Sequence, residues 1–159
     1  MSVHKSKPTK RVKTSPLNEA EIAKMYTNIL LPIEIDNLDL RGYNVKSPKF
    51  IQKKQTTGFD FDTKGEIKTG SDAVKDTFYF KLHGIDSTIP SLLKHIRNAF
   101  AHNRIFYDNN LHNIVLEDEY NGVLNMYVRL SSIDRLIDIV NAIKTTKGVY
   151  IPLKKIKTI

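Results

Sequence analysis

Apolar side chains recur along this chain at two different spacings, and each change of spacing separates a helix from a strand. Ile89, Leu92, Leu93, Ile96 and Phe100 share one narrow face at a 3.6-residue period. With Ser87 placed to cap it, this is the clearest helix, predicted to close at His102 or Asn103. A similar stripe, Ile133, Leu136, Ile137, Val140 and Ile143, follows a capping serine at 131 or 132 and predicts a last helix ending near Gly148. Ile22, Met25, Tyr26, Ile29 and Leu30 predict a first helix. Ser15 stands as its N-cap, Pro16 at its first position, Glu19 and Glu21 against the positive end of its dipole, and Pro32 at its close. Residues 71–83 read as a helix between Ser71 and Gly84 that uses Val74, Phe78 and Leu82, although Thr77-Phe78-Tyr79-Phe80 has strand propensity as well.

Strand patterns fill the stretch between the two strongest helices. They cover 104–107, 113–117 and 123–130, with Asp108-Asn109-Asn110 and Asn121-Gly122 supplying the turns of a small antiparallel sheet. Residues 33–70 mix glycines at 42, 58, 65 and 70 with Pro48 and the basic Lys53-Lys54, a pattern that suits short strands or a flap and carries no assigned chemistry. After Tyr150 the tail alternates Ile, Leu and Lys around Pro152, as an edge strand or an arm would. The expected fold class is mainly α: a helical bundle with a small antiparallel β-hairpin before the last helix. One domain is expected over 15–147, between a disordered basic arm at 1–14 and a basic tail at 148–159.

Composition narrows the class. The 159 residues suffice for one core, and 40% hydrophobic with 26% charged residues is a globular balance. No apolar run approaches the roughly 20 residues that span a bilayer, the basic N-terminus lacks a secretory core, and cysteine is absent. A soluble, cytoplasmic protein without disulfides or thiolate chemistry is expected, with no membrane partner. The net charge of +8 is misleading as a whole. Ten of the 25 lysines and arginines lie in residues 1–14 and 144–159, where no acid occurs, which leaves 15 against 17 acids in the body. Basic ends can hold a polyanion without reading its sequence, and they serve solubility equally well.

The candidate chemistry lies at the end of the strongest helix. At about 100° per residue, Arg97 and His102 stand ~140° apart, while Lys94, His95, Asn98 and His102 form a polar stripe on the predicted outer face with Arg97 at its border. Asn103 suits the left-handed position that ends a helix, and the carbonyl end of the dipole favours a protonated His102. Such a pair fits cleavage of RNA by its own 2′-hydroxyl. The imidazole moves the proton, the guanidinium neutralises the phosphorane, and no metal or cofactor is required. A single histidine serves poorly as both acid and base, so a second copy across a two-fold axis is attractive. The same spacing also arises by chance, and a histidine or asparagine at a helix C-terminus is an ordinary capping choice.

The block Leu92-Leu93-Lys94-His95-Ile96-Arg97-Asn98-Ala99-Phe100-Ala101-His102-Asn103-Arg104-Ile105 resembles the signature of HEPN domains: an arginine, a polar residue, and a histidine at a helix end. The likeness extends over about 70–143, and to the first helix by analogy. It implies a helical-bundle endoribonuclease, usually homodimeric, often a toxin or an antiphage factor, with Arg97 and His102 catalytic and Asn98 supporting. Lys94, His95, Asn103 and Arg104 are the expected RNA contacts. An antitoxin or another regulatory protein is a further expected partner. Asn103 departs from the glycine found in many relatives, yet asparagine also tolerates the left-handed conformation. The alternative is a non-catalytic RNA- or protein-binding module. Other clusters are weaker: Asp60, Asp62 and Glu66 lack a calcium-loop pattern, His83, His95 and His112 lack zinc spacing, and Glu117-Asp118-Glu119 reads as a solvated loop. Tyr107, Tyr120 and Tyr127 could stack on bases, yet in strands such residues are more often packing residues.

Overall fold

The structure, a computed structural model, describes residues 14–35, 42–84 and 88–148. Its strands are β1 (Thr14–Pro16), β2 (Asp60–Asp62), β3 (Thr77–Phe80), β4 (Ile105–Asp108), β5 (Asn113–Tyr120) and β6 (Val123–Leu130). They form one sheet in the order β1-β4-β5-β6-β3-β2, in which β2 and β3 run parallel and the other pairs antiparallel. The helices are α1 (Glu19–Met25), α2 (Leu31–Ile35), α3 (Pro48–Thr57), α4 (Thr88–Ala101) and α5 (Ile133–Lys144), with a π-helical turn at Tyr26–Leu30 joining the first two.

This arrangement overturns the expectation of a mainly α bundle, because the sheet is a full layer of the domain. The three predicted strands of the 104–130 region are present, and the Asn121-Gly122 turn has the two positive φ values, 51° and 78°, that a tight hairpin requires. The error lies at 71–83. Four strand formers in a row prevail there over a loose helical spacing, because β3 has β6 beside it to pair with and a core on one face. Phe78 and Phe80 point into the main core while Tyr79 points to the other side of the sheet, a period of two that no helix allows.

The main core lies between one face of the sheet and the helices. Ile114 and Leu116 of β5 and Met126, Val128 and Leu130 of β6 pack with Ile89, Leu92, Leu93 and Ile96 of α4 and with Leu136, Ile139 and Val140 of α5. On the opposite face a smaller cluster gathers Tyr79, Val115 and Tyr127 under Ala73 and Ile67 of the β2–β3 connection.

Two more expectations are corrected at the N-terminal end. Ser15 and Pro16 do not open the first helix; they pair with Tyr107 and Phe106 in the edge strand β1. The helix begins at Glu19, where Asn18 and Glu21 exchange side-chain and backbone hydrogen bonds in a capping box of 2.8 and 2.9 Å. Nor does Pro32 close it. The π turn just before absorbs the missing N–H and the ring bulk of the proline, so the helical path runs on to Ile35.

Within the illegible 33–70 segment, α3 had its signals in plain view. Ser47 caps it, Pro48 occupies its first turn, and Gly58 ends it at φ 83°. At the other end of the chain, Ser132 caps α5 as expected, its hydroxyl accepting from the Arg135 N–H. Ser87 as the cap of α4, the arm up to residue 13 and the tail from residue 149, including the reading around Pro152, lie outside the described residues. No described helix is long and apolar enough to cross a membrane.

Leu116→Ala, at the centre of the helix–sheet interface, is expected to cost about 2–5 kcal/mol, whereas Val74→Ala, at a site 61% exposed, should stay within about 0.5 kcal/mol. Urea unfolding of the two variants measures both, and equal effects would contradict this placement of the core.

Candidate functional site

The apolar stripe of α4 fixes which side of that helix meets the sheet, and its last turn sets what faces out. The end is tied off by a Schellman motif. The Arg104 N–H donates to the Ala99 carbonyl at 2.8 Å, the Asn103 N–H donates to that of Phe100 at 3.1 Å, and Asn103 holds φ at 57°. The sequence placed Asn103 in this left-handed position. Just before the cap, the His102 N–H still donates to the Asn98 carbonyl at 2.9 Å, so Asn98 and His102 lie one turn apart on adjoining surface.

Arg97 and His102 are both exposed, and neither side chain forms a hydrogen bond or ion pair with another described residue. Asn98 is half-buried between them, its Nδ2 donating to Oδ2 of Asp118 at 3.2 Å. Asn103 is exposed and Lys94 half-buried. Arg104 is engaged elsewhere, paired with Glu117 and with Glu119 on the next strand. Tyr107 donates to Glu21 and Tyr127 is buried, whereas Tyr120 is exposed.

His95 is not on an outer face. It is 1% exposed and turned toward the sheet, with Nδ1 2.6 Å from Oδ2 of Asp118 and Nε2 2.6 Å from the carbonyl of Lys81. The carbonyl can only accept, so Nε2 carries a hydrogen, and the contact to Asp118 needs a second proton between nitrogen and oxygen. The His83 ring stacks on this imidazole at 4.4 Å, and Phe80 meets it edge-on at 5.8 Å. The predicted outward stripe is therefore divided: His95 lies beneath the site, Asn98 at its edge and His102 on top.

Asp118 is the residue that sequence reading missed. The sequence pattern ends this strand at residue 117 and leaves the acidic run to a loop. Continued to Tyr120, the alternation of β5 sends Glu117 and Glu119 to one face, where Arg104 meets them, and Asp118 to the helix face after Ile114 and Leu116. There Asp118 is 4% exposed. Burial pushes its carboxyl upward, but hydrogen bonds from His95 and Asn98, and the positive charge of His95 and His102, outweigh burial and hold it below the usual carboxylate range. Glu117 shows the reverse balance: burial raises it, Arg104 opposes, and Glu119 adds to the rise.

Among the described residues no group of three or more histidines and carboxylates is placed to hold a metal ion. Asp60 pairs with Lys54 at 3.0 Å, and Asp62 caps the N–H groups of Lys64 and Gly65. These acids stabilise their own turn.

Compared with models of protein families, the chain matches the one described as HEPN pEK499 p136, over residues 8–146. Neither the curated proteins nor the solved structures contain a match to it.

Because the folded Asp118 carboxyl sits below its unfolded value, its contribution to stability is complete above the ordinary carboxylate range and is lost as the pH falls through the depressed value. Asp118→Ala should therefore lower the unfolding free energy at neutral pH by about 3 kcal/mol. The gap between variant and parent should narrow as the pH drops below about 4. Denaturation curves across that range test this, and a gap that widened in acid would show the sign to be wrong.

Proposed function

Because the chain belongs to the HEPN family that this model describes, we propose that it is an endoribonuclease that cuts RNA by attack of a 2′-hydroxyl, with Arg97 and His102 as its working pair. The observation that carries the reading is the build of this helix end: Arg97 and His102 are both exposed, and Asn98, between them in sequence, is buttressed by Asp118 on a capped last turn. A guanidinium fork matches the oxygens of a phosphate and stabilises the added charge of a phosphorane better than a point charge does. The imidazole takes the proton of the attacking hydroxyl or returns one to the departing oxygen. Neither step calls for a metal.

A homodimer belongs to the same proposal, since acid and base are then supplied by two copies of His102. The surface beside the Asn103 cap supports it. Pro16, Leu17, Ile22, Phe100 and Ile105 line an apolar groove there with Asn103. Ile22 and Tyr26, on α1 and the π turn, are 44% and 51% exposed. Large apolar side chains left open next to a site are the usual mark of a contact surface.

Labelled single-stranded RNA incubated with a chelator should be cut to fragments ending in 2′,3′-cyclic phosphate. His102→Ala should slow that reaction by about 10²- to 10⁴-fold while leaving the assembly unchanged. Retarded migration of intact RNA without cutting would instead indicate a non-catalytic binding module. Ile22→Glu should convert the dimer to a monomer by sedimentation and reduce cleavage with it; a fully active monomer would remove the need for a second copy.

A further inference from the structure

The buried side of the site also sets the orientation of an amide. Asp118, held ionised by its donors, can only accept hydrogen bonds, so the Asn98 atom facing its Oδ2 at 3.2 Å must be the nitrogen. The Asn98 carbonyl oxygen is thereby turned away from Asp118, and no described residue donates to it. Of the groups an RNA brings to this place, phosphate oxygens are acceptors and cannot use it. A sugar hydroxyl can.

We propose that Asn98 Oδ1 accepts a hydrogen bond from the 2′-hydroxyl of a ribose adjacent to the attacking one, and that Asp118 acts as the positioning residue that keeps it turned toward the substrate. This deepens the ribonuclease reading and rests on it. The attacking hydroxyl gives its proton to His102, the phosphate meets Arg97, and the flanking sugar meets Asn98, one helical turn from His102. Such a contact distinguishes RNA from DNA beyond the reacting nucleotide, since the 2′-hydroxyl is the donor that DNA lacks.

Asp118 cannot be replaced by its amide without consequence, because one oxygen, Oδ2, serves both His95 Nδ1 and Asn98 Nδ2. In Asp118→Asn, an oxygen at that position would leave both His95 nitrogens facing neutral acceptors with no carboxylate to offset the second proton, so that arrangement is disfavoured. A nitrogen there donates to His95 but opposes the Asn98 amino group and flips the amide.

The experiment uses the full chain and a set of RNA strands: one all-ribose, and others with a single 2′-deoxy nucleotide immediately 5′ or 3′ of the nucleotide whose 2′-hydroxyl attacks, which itself stays ribose in every strand. The parent protein should cut one of the flanking-deoxy strands about 5- to 10-fold more slowly, the worth of one hydrogen bond. Asn98→Ala should cut that strand and the all-ribose strand at the same, lower rate, and Asp118→Asn should lose the deoxy penalty as well. A parent that cuts all the flanking-deoxy strands at the all-ribose rate overturns the contact, as does a penalty that persists undiminished in Asn98→Ala. Should Asp118→Asn fail to fold, Asn98→Ala keeps the test decisive, since it leaves the His95–Asp118 pair intact. Failure of the parent to cut even the all-ribose strand would be a different result, removing the ribonuclease reading itself.

Discussion

The hydrogen bond between His95 and Asp118 joins α4 to the sheet, and the geometry of the candidate site follows from it. Apolar contacts across the α4–β5 interface are strong but tolerant, because leucine and isoleucine side chains can slide against one another at small cost. A buried carboxylate has no such latitude. Asp118 needs its donors in place, and a rotation or one-residue slip of α4 would leave a charge unpaired in the core, at a cost of several kcal/mol. The second nitrogen of the same ring reaches Lys81, just past β3, so one imidazole ties the helix to β5 and, across β6, to the end of β3. Arg97, Asn98 and His102 inherit that precision, and the Schellman cap keeps the last turn from fraying beneath His102.

Legibility in the sequence followed the kind of force involved. The stripe of α4, the left-handed Asn103, the Asn121-Gly122 turn and the capped α5 are local or strongly periodic features, and each was read from neighbouring residues alone. Arg97, His102 and Asn98 were likewise found together at the end of one helix. What stayed hidden depends on pairing at a distance. Thr77–Phe80 becomes a strand because β6 lies beside it, and the helical spacing of Val74, Phe78 and Leu82 carried no information about that neighbour. Asp118 looked like part of a solvated run because its partners stand 20 and 23 residues earlier in the chain. Angles on an isolated cylinder put His95 outward, because nothing in the local sequence signals the carboxylate across from it on the sheet.

The capping signals of α3 were a different kind of loss. Ser47, Pro48 and Gly58 bracket that helix by ordinary rules, but its body, with lysines at 49, 53 and 54 and a single fully buried side chain, Phe50, presents almost no apolar stripe to count. Termini and periodicity are independent sources of evidence, and here the first outlasted the second.

The two rims of the sheet bear on how copies of this chain can meet. Each described outermost strand is three residues long; one ends in Pro16, which offers no N–H, and the other carries Asp60 and Asp62. Among the described residues open backbone is thus short and guarded on both flanks, so a continuous sheet running from one molecule into the next along them is disfavoured. An association along these described rims would fall to side chains, whose specificity single substitutions can tune without disturbing the backbone pairing that holds each molecule together.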